Sequence, residues 1–205
     1  ENALDVERLW HKMLDRIWWY GPEGIAAFAV SAVDMALWDL KGKALGAPVC
    51  QLLGGKLHDR VTAMASIIFD MEDIEWTVNE FRWLREEGYG VVKGGWGMRP
   101  EAVFGLDRAR DIEVVRAVRD VIGDDLELVV DTPGQRGLWD VPTAIQRFRD
   151  LEPYRLKWIE QPLPPENLPA YAQLRAAVST PIGTGEDEWD VESYKRLIES
   201  GGVDI

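Results

Sequence analysis

The stretch Val61-Thr62-Ala63-Met64-Ala65-Ser66-Ile67-Ile68-Phe69-Asp70-Met71-Glu72-Asp73 decides between two parallel α/β architectures. Val61–Ile67 reads as a strand, and a helical pattern follows from Ile74. A dinucleotide-binding sheet opens with a glycine-rich turn after its first strand, because glycine lets the backbone approach a pyrophosphate. Phe69-Asp70-Met71-Glu72-Asp73 holds no glycine at all. Further along, polar residues gather at the ends of several different strands, which is how the active sites of (β/α) barrels are assembled. The expected fold class is therefore α/β, a partial (β/α) TIM-type barrel.

Downstream, candidate strands Tyr89–Gly95, Leu126–Asp131, Lys157–Gln161 and Pro181–Glu186 alternate with candidate helices. The helices cover about Ile74–Glu87, Asp107–Ile122, Val141–Asp150, Leu168–Val178 and Val191–Ser200, and a sixth strand begins at Val203-Asp204-Ile205. Such alternation means parallel strands joined by right-handed crossovers. Upstream, the chain is helical to about Gly55. One helical pattern spans Leu4–Trp19, and Gly21-Pro22 breaks and restarts the chain. From Ile25 to Leu45, the residues Ile25, Phe28, Ala29, Ala32, Val33, Ala36, Leu37 and Leu40 fall on one face, and Gly46 with Pro48 stops the helix. The chain thus divides into a helical part, 1–55, and a β/α part, 56–205.

Composition narrows the function. Nearly half of the 205 residues are apolar, enough for a sizeable core. A formal charge of −13 argues against nucleic acid, whose phosphates need clustered Lys and Arg, and against an anionic membrane surface. No apolar run approaches the roughly 18 residues of a membrane span. Glu1-Asn2-Ala3-Leu4-Asp5 lacks the basic and apolar regions of a secretory signal, so a cytoplasmic protein is expected. The single cysteine, Cys50, allows no disulfide within the chain and reads as a small buried hydrophobe.

Asp131, Glu160 and Glu186 close three successive candidate strands, 29 and then 26 residues apart, one strand–helix unit each time. Singly, each would be an ordinary strand-end acid that caps the next helix or faces water. Neighbouring strands lie roughly 4.8 Å apart, so three in phase would crowd together. Like charges about 4 Å apart repel by about 4 kcal/mol at an intermediate effective dielectric. A divalent cation reverses that cost, and all-oxygen donors suit Mg²⁺, with Mn²⁺ also accommodated. The three are the expected metal ligands.

The same residues sit in longer motifs. Ala32-Val33-Asp34-Met35-Ala36-Leu37-Trp38-Asp39-Leu40-Lys41-Gly42-Lys43, followed by Pro48-Val49-Cys50-Gln51-Leu52-Leu53-Gly54-Gly55, resembles the capping-domain helix of the mandelate racemase/muconate lactonizing enzyme group of the enolase superfamily. Trp158-Ile159-Glu160-Gln161-Pro162-Leu163-Pro164-Pro165-Glu166 resembles the segment around that group's second metal ligand, Val130-Asp131 the first and Gly185-Glu186 the third. The resemblance implies Mg²⁺-assisted removal of the proton next to a substrate carboxylate. It also makes the helical part a remnant of the capping domain.

Many members carry Lys-x-Lys at the end of the second strand, where this chain has Lys93-Gly94-Gly95. Lys-x-Gly-Trp-Gly looks more like the acid-sugar dehydratases of the group, and Lys93 would then hold or polarise the substrate carboxylate or move a proton. A racemase or epimerase, with bases on both faces of the carbon, is the nearest rival. A cycloisomerase is disfavoured for want of a second lysine, and a noncatalytic metal-binding or oligomerisation module is the alternative of another class. Pro133 departs from the usual residue two positions after the first ligand. Gln135 and Arg136 read as surface-loop residues that could reach a hydroxylated substrate, and His11 and His58 as structural.

The later strands, which in this subgroup supply a His-Asp dyad and a further acid, have no counterpart in these residues. The expectation is the middle of such an enzyme, with edges and apolar interior that favour assembly into a homo-oligomer. Incubating this 205-residue chain with acid sugars should give little or no turnover.

Overall fold

The computed structural model describes residues 2–205, which divide into two compact units, 2–61 with 188–194 and 62–187 with 195–205. The first contains helices α1 (Val6–Ile17), α2 (Gly24–Leu45) and α3 (Val49–Leu52). Gly46, in the left-handed conformation, ends α2 by donating its N–H to the carbonyls of Gly42 and Lys43. The apolar face expected along α2 is not covered within its unit. Val30 is buried, whereas Ile25, Phe28, Val33 and Leu40 are exposed. This helix is apolar nearly all round, so its sequence pattern does not choose which side packs. Cys50 is exposed rather than buried, because α3 is a single turn with no buried residue.

The second unit is built on five parallel strands, β1 (Met64–Ser66), β2 (Val91–Gly95), β3 (Glu127–Asp131), β4 (Leu156–Glu160) and β5 (Ile182–Gly183). Their spatial order is their order in the chain. A doubly wound sheet reverses direction at a switch point. No reversal occurs here, so the sheet is a segment of a (β/α) barrel, as Phe69–Asp73 implied. Val203–Ile205 is not a regular strand but runs beside β5, with Asp204 N–H donating to Ile182 O (2.9 Å) and Thr184 N–H to Ile205 O (3.2 Å).

Helices α4 (Ile74–Glu86), α5 (Arg108–Ile122), α6 (Val141–Leu151) and α7 (Leu168–Arg175) connect the strands, and α8 (Val191–Glu199) follows β5. Each connecting helix starts at an Asp or Asn that accepts a bond from a backbone amide of the first turn. These are Asp73 from Trp76, Asp107 from Ala109 and Arg110, Asp140 from Thr143, and Asn167 from Ala170. The caps matter for function, since they leave the strand-end carboxylates unneeded for capping. Val92, Leu128, Val130 and Ile159 of the sheet pack with Phe81, Val114, Val118 and Phe148 of the helices in one buried cluster.

Candidate active site

Strand register brings the predicted residues together. Gly95 pairs with Asp131 and Asp131 with Glu160, so the two acids stand side by side at the same level of the sheet. Lys93 lies two residues below Gly95 and, with the period of two along a strand, shares its face. Its Nζ reaches both acids, 2.9 Å from Asp131 Oδ2 and 2.8 Å from Glu160 Oε1. The three side chains are only 14–18% exposed. The second oxygen of each carboxylate accepts an indole N–H, Asp131 Oδ1 from Trp96 (3.3 Å) and Glu160 Oε2 from Trp158 (3.2 Å).

Glu186 is placed differently. Glu160 pairs with Gly183, and β5 ends there, so Glu186 lies three residues beyond the level of the other two acids. It is exposed, and its Oε1 accepts from Gln135 Nε2 at 3.0 Å. Its charge is nonetheless felt at Asp131. Burial first, and then the charges of Glu160 and Glu186, push the Asp131 carboxyl up to about 6 against the pull of Lys93. For Lys93, burial works against the ammonium, but hydrogen bonds to Glu160 and Asp131 outweigh it and hold the group above the ordinary lysine range. Lys93 is therefore a cation at neutral pH.

The donor set fits a hard divalent cation in its chemistry: carboxylate oxygens only, with Asp131 raised to about 6 first by burial and then by its acidic neighbours. Among the described residues, no three such side chains converge on one cation position: the Lys93 ammonium stands between the first two, and Glu186 lies three residues beyond their level.

Gly95 settles the fate of a second lysine. Its φ is +156°, and a Cβ there would overlap the carbonyl oxygen of Asp131 and stand 2.7 Å from the carbonyl carbon. No side chain fits, let alone a base. Trp96 follows in the left-handed region at φ 53°, with its N–H on Asp131 O at 3.0 Å, which turns the ring back over the acid.

Of the loop residues after β3, Gln135 joins the site and Arg136 does not, since its guanidinium donates to Pro100 O at 2.9 Å. His11 stacks edge-on against Trp10, 5.0 Å between ring centres, and His58 is exposed. Trp96, Trp158 and Gln161 are site residues that the sequence reading passed over. Trp158 was within reach of it, because a residue two before Glu160 on a strand shares its face.

Family models match along the chain. Residues 1–54 match the mandelate racemase/muconate lactonizing enzyme N-terminal domain, and residues 76–205 match the enolase C-terminal domain-like model. The chain belongs to the mandelate racemase/muconate lactonizing enzyme group of the enolase superfamily. It is 34% identical over 205 residues to L-talarate/galactarate dehydratase of Salmonella typhimurium, covering all of this chain and 49% of that protein. The 3,6-anhydro-D-galactonate cycloisomerase structure from Zobellia galactanivorans superposes with a TM-score of 0.88 at 31% identity, covering 99% of this chain and 54% of that one. A mutant L-talarate/galactarate dehydratase liganded with Mg and L-glucarate superposes at 0.86 and 34% identity, covering 100% and 49%. The chain spans about half the length of the curated relatives it matches.

Relatives at comparable identity therefore include cycloisomerases as well as dehydratases. Among the described residues, no helix is long and apolar enough to cross a membrane.

Proposed function

We propose that this chain carries the electrophilic half of an active site that removes the proton next to a carboxylate, leading to dehydration of an acid sugar. The observation that carries the reading is the buried cluster of Lys93, Asp131 and Glu160, with Glu186 beside it. Asp131, Glu160 and Glu186 would hold Mg²⁺. When bound, the cation would supply positive charge to a substrate carboxylate, which makes the adjacent C–H more acidic.

The rest is the work of side chains. Lys93, beside the first two acids, is placed to donate a hydrogen bond to a substrate carboxylate or to move a proton. Trp96 and Trp158 fix the carboxylate rotamers through their N–H groups and shield that side of the site from water. Since no side chain fits at Gly95, a second base beside Lys93 must come from another strand. This favours a single-sided elimination over a racemisation between two lysines. Loss of water from a 2,3-dihydroxy acid, with the proton leaving C2 and the hydroxyl leaving C3, leaves an enol that becomes a 2-keto acid. Formation of that product with loss of one water from an open-chain acid sugar, by a protein containing these units, identifies the reaction. A keto acid formed instead from a lactone or anhydro sugar acid, with the expelled ring oxygen kept in a product of unchanged mass, would favour a cycloisomerase, the reading that relatives of that class support.

The metal reading has its own test. Calorimetric titration of the chain with MgCl₂ is expected to show binding, weakened at least about tenfold by Asp131→Asn. Ligation needs the Asp131 carboxylate, and a proton competes for it below a pKa of about 6. Binding should accordingly be weaker at about pH 5 than at about pH 7.5. A folded wild-type chain that takes up no Mg²⁺ at millimolar concentration would remove the reading.

A further inference from the structure

The third acid, Glu186, follows a two-residue strand and is exposed, so neither sheet register nor packing fixes its carboxylate. A pair of side-chain amides stands where such a constraint is needed. Gln135 Nε2 donates to Glu186 Oε1 at 3.0 Å and to Gln161 Oε1 at 2.7 Å. Gln161 in turn donates from Nε2 to Asp187 Oδ2 at 2.8 Å. The two N–H bonds of the Gln135 amide thus have two short acceptors, and the more distant Asp187 Oδ2, at 3.3 Å, competes only weakly.

Gln161 is built for this use. It follows Glu160, is 1% exposed, and adopts φ 47°, a left-handed conformation that is strained for a non-glycine residue. That turn swings its amide out of the strand alternation and toward the loop after β5. The loop after β3 comes to meet it. At Gly134 a Cβ would overlap the Gln161 carbonyl oxygen and stand 2.6 Å from that of Leu163, so only glycine allows the approach that delivers Gln135. Thr132 closes the same junction with its single O–H, 2.6 Å from the Gln161 carbonyl oxygen and 3.0 Å from that of Glu160.

We infer that Gln135 and Gln161 are positioning residues whose linked amides hold the Glu186 carboxylate in place for cation binding, while Gln161 draws the neighbouring Asp187 aside. The inference rests on the metal reading above. Gln135 supplies the donor, and Gln161 orients that donor by accepting its other N–H. Asp187, the adjacent acid that could take the place of Glu186, is occupied by Gln161.

The test is Mg²⁺ affinity by calorimetry, with thermal unfolding as the control for folding. Gln135→Ala changes an exposed side chain and should leave the unfolding temperature unaltered while weakening Mg²⁺ about tenfold, the scale of lost outer partners of a ligand. Gln161→Asn keeps an amide and suits the left-handed backbone better, but is one methylene too short. It should fold at least as well as wild type and still lose about tenfold. Because the amides act through Glu186, Gln135→Ala added to Glu186→Gln should weaken binding no further than Glu186→Gln alone. Unchanged affinity in both single variants, beside a wild type that binds, overturns the positioning role alone. So does an equal loss from Gln135→Ala with and without Glu186→Gln. A wild type that does not bind Mg²⁺ overturns the metal reading and this inference together.

Discussion

Gly95→Lys, which gives the chain a Lys-x-Lys spacing at the end of β2, is expected to break the β2–β3 edge instead of supplying a second base. The obstacle is the Cβ, not the lysine head. Gly95 pairs with Asp131 across the two strands, and a Cβ on Gly95 would overlap the Asp131 carbonyl oxygen and stand 2.8 Å from its nitrogen. The colliding atoms are backbone, so no rotamer change relieves them. Backbone shift there also drags the Asp131 carboxyl away from Lys93 and pulls at two bonds of the same junction, Phe69 N–H to Gly95 O (2.9 Å) and Trp96 N–H to Asp131 O (3.0 Å). A loss of more than about 4 kcal/mol is expected, with much of the protein insoluble. Gly95→Ala shares the clash and is the cleaner probe. If urea unfolding shows Gly95→Ala within about 1 kcal/mol of wild type, the close-approach argument is wrong.

That same junction shows what could be read from the residues in order and what could not. The absence of glycine in Phe69–Asp73 and the regular spacing of strand-end acids were enough for a barrel segment, since both follow from short-range rules of turn chemistry and chain period. Asp131 and Glu160 came out as register partners for that reason. Glu186 did not, because where β5 ends depends on which backbone groups find partners, and only Ile182 and Gly183 pair as strand. The left-handed backbone of Gln161 left no trace in its sequence: Gln is a poor residue for it, and the conformation is imposed by neighbours. Gln135 read as a surface-loop residue because its partners, Gln161 and Glu186, are 26 and 51 positions away. Exposure of the α2 face was equally illegible, as a helix apolar on all sides gives no preferred direction.

Away from the acids, at the opposite end of the strands, Arg119→Met is expected to cost about 3 kcal/mol of stability without touching the site. Arg119 is on α5, 7% exposed, and donates only to carbonyl oxygens: Nε to Tyr154 (2.9 Å), Nη1 to Gly123 (2.9 Å) and Leu126 (2.7 Å), and Nη2 to Arg155 (3.1 Å). These carbonyls lie at the end of α5, just before β3, and in the turn before β4. One guanidinium therefore ties together the entries of two strands that carry site residues at their far ends. Burial pulls its pKa down, with the nearby Arg155 charge in the same direction, yet an arginine stays charged through the working range. Bonds from a charged donor are worth more than neutral ones, and methionine leaves all four acceptors to find water in a closed turn. Lysine keeps the charge but presents one ammonium where a planar fork spans four oxygens, so Arg119→Lys should recover less than half of the loss. Chemical unfolding of the three proteins measures both effects, and the expected loss corresponds to a melting temperature roughly 6 to 12 °C lower. A change under about 1 kcal/mol for Arg119→Met would mean that the carbonyls are served by solvent and the arginine is not what holds the strand entries together.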